Sequence, residues 1–193
     1  MLKISDRYQL IIGLFLVLLM VATRGHHFAT LQHLPDASLA IFFLAGIYIT
    51  RVWFFPLLLA VAGLLDYVAI TWGGVSSFCI SPAYTLLIAA YGALWFAGRK
   101  YASIHKEQWL SLIPLVIFMT VGFVLSEIIS SGGFYYFSGR FADLSLTEFA
   151  SRLTKYGPEM FSSLAFYVAC TTVIHAVISA LKLLSTRDHT STI

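Results

Sequence analysis

Six apolar stretches occupy most of this chain, at 8–23, 37–50, 54–72, 83–98, 109–131 and 158–184. A helix needs about 20 apolar residues to cross the hydrocarbon core of a bilayer, and only helices and closed barrels satisfy their backbone there. Stretches of this length read as helices. The 193 residues are 59% hydrophobic and 11% charged, whereas soluble domains run at about a quarter charged. Too few charges remain to coat a water-facing surface. The expected fold is an all-α membrane protein, a single transmembrane domain over 1–193 with about six helices in one compact bundle. The stretch 37–50 is short for a span, so tilt, a kink or partial insertion is expected there.

The breaks between stretches carry helix-end chemistry. Asp36 or Ser38 is the expected N-cap of the second helix. Pro56 falls in the first turn of the third, where a missing N–H costs little. Gly73-Gly74 ends that helix, Pro82 opens the fourth, Gly98 closes it, and Gly157-Pro158 opens the sixth. The long connection 132–157 contains Ser145, Thr147 and Glu148, which mark a short surface helix. The N-terminus has the outline of a signal peptide, but Thr23-Arg24-Gly25 is a poor cleavage context, so a retained first helix is expected.

Lys and Arg set the orientation. With a cytoplasmic N-terminus the inner set is Lys3, Arg7, Arg51, Arg99, Lys100, Lys106, Lys182 and Arg187, against Arg24, Arg140, Arg152 and Lys155 outside. Both termini are then cytoplasmic, and 24–36, 73–82 and 132–157 face out. The formal charge of +3 gives no reason to expect a nucleic-acid partner. The absence of a phosphate-binding loop argues against nucleotide hydrolysis.

Ionisable groups within apolar stretches are costly unless partnered, and mark functional sites. Asp66 lies six residues before Trp72, roughly 9 Å below the outer helix end. Glu127 lies near the outer end of the fifth stretch, with Thr120 and Ser130 close to its face. Either acid can instead be an interfacial residue that reaches water. The outer loops add His26, His27 and His33, the uncharged run Gly73–Tyr84, and Phe134, Tyr135, Tyr136, Phe137 and Phe141 beside Arg140 and Arg152. Uncharged irregular backbone at membrane depth is stable only when buried in protein or lining a cavity. Together these residues suit an outward-facing cup for a large, flat, partly apolar ligand; an interfacial aromatic belt is the alternative.

Cys79 is either an inert thiol or a ligand to a soft or borderline metal. A structural zinc site needs about four ligands, so a lone thiol suits an axial position on a metal already held by a macrocycle. Cys170, roughly 18 Å into the sixth helix, reads as inert. His26 and His27 are adjacent, so at most one faces a ligand, and His175 is expected to hydrogen-bond within the bundle.

The runs Arg24-Gly25-His26-His27-Phe28, Leu34-Pro35-Asp36-Ala37-Ser38-Leu39-Ala40, Phe42-Phe43-Leu44-Ala45-Gly46 and Ser76-Ser77-Phe78-Cys79-Ile80-Ser81-Pro82-Ala83-Tyr84 resemble the BtuM family. These are small bacterial inner-membrane proteins for cobalamin uptake, similar to the substrate-binding S-components of energy-coupling-factor (ECF) transporters. The resemblance implies a six-helix S-component fold with a corrinoid pocket on the outer face. It implies that Cys79 coordinates the cobalt of a base-off corrinoid, with Asp66, Tyr84 and Arg152 as pocket residues and His27 and Phe78 as further candidates. Asp66 and Arg152 would hold corrin amides or each other. Thiolate binding at cobalt also implies decyanation of cyanocobalamin at Cys79. Helix one lacks the Ala-x-x-x-Ala pair through which classical S-components dock on their membrane subunit. That leaves uptake by the chain alone, with trapping inside, as the alternative to an ECF module. Two other readings stay open: an S-component for another vitamin with Cys79 idle, and a haem protein with His26 or His27 and His175 as axial ligands.

Overall fold

A computed structural model describes residues 5–24, 34–74, 76–77, 81–106, 108–142 and 144–190, with backbone alone over 182–190. The described residues form six α-helices and no strands. They are α1 (Asp6–Arg24), α2 (Ser38–Tyr48), α3 (Phe54–Thr71), α4 (Leu86–Ile104), α5 (Leu112–Phe137) and α6 (Leu146–Thr190). Short 3-10 turns at Pro82–Thr85 and Trp109–Ser111 lead into α4 and α5.

Four segments are long and apolar enough to cross a membrane: α1, α3, Trp109–Phe137 and Leu146–Leu181. Their outward faces are apolar, as with Leu10, Leu14 and Leu18 on α1, Val116, Ile117 and Val121 on α5, and Val173, Ile174 and Val177 on α6. Water does not tolerate apolar surface on that scale, whereas lipid does. Cys170 is exposed on the same outer surface of α6.

α2 is different. Its 11 residues rise only about 16 Å. Ser38 and every residue from Ala40 to Ile47 are buried. A helix that is apolar on all sides belongs in a core. α2 is that core, enclosed by α1, α3, α4, α5 and α6.

Two glycines allow α2 to approach α4 closely. A Cβ on Gly46 would overlap the Trp95 carbonyl, and a Cβ on Gly98 would overlap the Phe43 carbonyl. The backbones therefore meet at a reciprocal crossing, the small-residue contact that membrane helices use in place of a hydrophobic drive. Gly98 thus does not close α4, which runs on to Ile104.

The connection 132–157 is also mostly helical. α5 continues to Phe137, and the expected surface helix is the first turns of α6. Ser145 caps it, its Oγ accepting the Glu148 N–H at 3.1 Å in a capping-box spacing. Gly157-Pro158 lies inside α6 and does not open it. Proline lacks an N–H, so it leaves the Thr154 carbonyl without its helical donor. The N-cap of α2 is neither Asp36 nor Ser38 but Ala37, which makes no side-chain cap; Asp36 still holds this end, its Oδ1 accepting the N–H of Ser38 at 2.9 Å and the Ser38 O–H at 2.7 Å.

The helices alternate in direction, so polar side chains gather at two ends. At one end Gln9 Oε1 accepts the N–H and O–H of Thr50 at 3.0 and 2.9 Å, and Arg99 donates to the Thr50 carbonyl. The opposite end holds Arg24, Ser38, Asp66, Tyr84 and Tyr91.

The crossing gives a direct test. Gly98→Val in detergent is expected to lose about 3 kcal/mol, the upper range for overpacking, because backbone cannot yield. Gly63→Ala, with open space around it, is expected to gain about 0.5–1 kcal/mol from helix propensity. Thermal unfolding of the two variants beside the parent checks both signs.

Candidate functional site

Asp66 sits in the last two turns of α3, where its carboxylate is partly withdrawn from solvent. A charge at such depth needs a partner, and the partner is Arg24 at the end of α1. The pair is bidentate: Nε to Oδ1 at 2.7 Å and Nη2 to Oδ2 at 2.8 Å. This parallel fork is the strongest arrangement a guanidinium and a carboxylate adopt. The Arg24 Nη1 donates to Ser38 Oγ at 2.8 Å and to Tyr91 Oη at 3.0 Å. Tyr84 donates its hydroxyl to Asp66 Oδ2 at 2.6 Å.

Each acceptor is itself held. Ser38 is fixed by Asp36. The Tyr91 ring stacks on Phe42 of α2 with centroids 4.2 Å apart and planes 11° apart. Tyr84 lies in the Pro82–Thr85 turn, with its N–H on the Ser81 carbonyl at 2.8 Å. One network thus joins α1, α2, α3, the 82–85 turn and α4.

Beside it, α5 and α6 meet in an aromatic corner. Tyr135 packs against Phe141 at 4.8 Å and Phe149 at 5.7 Å, and its hydroxyl accepts the Ser145 N–H at 3.0 Å. Arg152 stands over Phe141 at 4.6 Å and pairs with Glu148 at 2.9 Å. An apolar cleft of about 340 Å³ runs between this corner and the start of α4, lined among others by Leu86, Gly132, Gly133, Tyr136 and Phe149.

The structure thus brings two expected site residues, Asp66 and Tyr84, into direct contact. Arg152 makes its contacts at the α5–α6 corner, and the Asp66 partner is Arg24 instead. His27, Phe78 and Cys79 lie outside the described residues, as do His26 and His33.

Glu127 does not reach water. It is buried, with Oε2 accepting the Ser131 hydroxyl at 2.9 Å and Oε1 lacking a hydrogen bond among the described residues. Ser130 turns instead to the Ser126 carbonyl, and Thr120 is exposed. His175 sits toward the other end, its ring 6.0 Å from His105 and 6.2 Å from Tyr48. Among the described residues no three His, Cys, Asp or Glu side chains group as a metal site.

The residue order gave Arg24, Ser38 and Tyr91 no role in the site: Arg24 counted toward orientation, retention of the first helix and the resemblance, and Ser38 toward a helix cap and the resemblance. A usable signal was present. Arg24 and Asp66 carry opposite charges at matching depth, near the same ends of two helices that run in parallel. No protein-family model and no curated protein matches the chain.

Removing one partner of the pair strands the other. Arg24→Met is expected to destabilise the folded protein by about 2–4 kcal/mol, the lower value reflecting partial exposure of Asp66. Arg24→Met with Asp66→Leu is expected to recover most of that loss. Melting temperatures of both variants in the same detergent check the sign and the recovery.

Proposed function

We propose that this chain binds and takes up cobalamin or a related corrinoid at a bacterial inner membrane. The observation that carries the reading is the Tyr84–Asp66 hydrogen bond. These residues are 18 apart in sequence, both are implied as pocket residues by the family resemblance, and they are joined at 2.6 Å. The aromatic corner and the neighbouring apolar cleft supply flat, greasy surface at the same end of the bundle, the lining that a large macrocycle with polar edges requires.

In this reading the bundle has six spans in an S-component-like arrangement, and both termini are cytoplasmic. α2 and α4 complete the set, with α2 crossing in part and sheltered by its neighbours. The pocket opens outward. Cys79 supplies a thiolate to cobalt, and the corrinoid is substrate, held base-off. With cyanocobalamin the thiolate replaces cyanide as the axial ligand. Cyanide leaves with the thiol proton, and the oxidation state of cobalt is unchanged. Arg152 acts from the α5–α6 corner on the macrocycle periphery. Uptake proceeds by the chain alone or with an ECF module.

Absorption spectra of the purified protein with cyanocobalamin test this. Wild type is expected to retain a corrinoid with shifted bands. Cys79→Ser is expected to bind without the shift, and Asp66→Asn to bind at least about tenfold more weakly, since a bond to a charged group contributes about 1.5–3 kcal/mol. No retained corrinoid in any of the three refutes the reading.

A further inference from the structure

The mutual arrangement of Asp66 and Tyr84 depends on a residue that need not touch a ligand. A carboxylate has about four acceptor positions. Arg24 takes one on each oxygen, and Tyr84 takes the second on Oδ2. Among the described residues the second position on Oδ1 is unfilled, and the Asp66 side chain is 24% exposed. The direction of that position is set by the plane of the carboxylate. The guanidinium fork sets the plane, because two parallel hydrogen bonds leave no rotation about the carboxylate axis.

Arg24 is itself locked. Its third anchored nitrogen bonds Ser38 and Tyr91, which are held in turn by Asp36 and by the Phe42 ring. The rigid core helix therefore reaches Asp66 through one side chain. Lysine would keep the charge here, but a point charge on a flexible stem cannot hold the carboxylate plane and two further acceptors together.

Resting on the corrinoid reading, we infer that Arg24 is a positioning residue of the pocket: it orients Asp66, and with it the Tyr84 hydroxyl, so that the carboxylate offers one acceptor to a carboxamide N–H of the ligand. A ligand carrying peripheral amides, and not carboxylates, is the class this arrangement takes, since a carboxylate would meet a paired but still acceptor-only oxygen.

The test is a titration of detergent-purified protein with cyanocobalamin, read by absorbance, for wild type, Arg24→Lys, Tyr84→Phe and the double variant. Size exclusion and circular dichroism confirm folding. Arg24→Lys is expected to weaken binding at least about tenfold. The double variant is expected to be no weaker than the weaker single variant, because both substitutions act through the same carboxylate. Equal binding by Arg24→Lys overturns the inference, as does an effect that simply adds to that of Tyr84→Phe. If wild type binds no corrinoid, the functional reading fails and this inference with it, an outcome distinct from the other two. Should Arg24→Lys not fold, Tyr91→Phe carries the same test. It keeps the ring on Phe42 and removes one guanidinium acceptor, with an expected loss of about threefold that is again non-additive with Tyr84→Phe. No loss overturns the inference.

Discussion

A guanidinium at the end of α1 grips a carboxylate in α3 with two bonds of 2.7 and 2.8 Å, and much of this end of the bundle is organised around that grip. Neither charge is tolerable alone beside lipid. Once paired, each still has hydrogen-bonding capacity to satisfy, and the remaining partners come from α2, the 82–85 turn and α4. The pair is thus more than a neutralised charge. It ties α1 and α3 to α2, the 82–85 turn and α4 at one end of the bundle.

The other organising element is α2. A helix too short to span and buried on nearly every side must be surrounded, and its neighbours supply the enclosure. The Gly46–Gly98 crossing brings α4 against α2 at backbone distance, and α4 then packs along α5. Tyr91 on α4 stacks on Phe42 of α2 just above that crossing. The close approach of the two helices and the position of the Arg24 acceptor are consequently one fact. Packing in the core and polar geometry at the end are mechanically linked.

The aromatic residues near 134–149 show how a single composition serves two ends. Read along the chain they are a patch of rings suited to a flat ligand or to the membrane interface. In space Tyr135, Phe141 and Phe149 pack chiefly on one another, with Arg152 laid over Phe141. They build the corner at which α5 turns into α6. Tyr135 is buried within this cluster, whereas Phe141 and Phe149 stay partly exposed beside the adjoining cleft.

Much of the architecture was legible in the residue order. The all-helical fold and the presence of helices long and apolar enough to cross a membrane follow from apolar length and scarce charge, because the bilayer rewards those properties segment by segment and without regard to partners. Asp66 and Glu127 were marked for the same local reason, since a charge in an apolar run is conspicuous on its own. Helix ends were less legible. Pro158 and Gly98 are usual terminators, yet both lie within helices, since bundle contacts stabilise turns that local propensity disfavours. Partner choice was decided only by the tertiary fold. Asp66 meets Arg24 and Tyr84 and not Arg152, and Glu127 meets Ser131 and not water, because hydrogen bonds depend on distances of a few ångströms between residues far apart in the chain. Sequence determines what each segment wants to be buried in; which side chains meet there is settled when the helices pack.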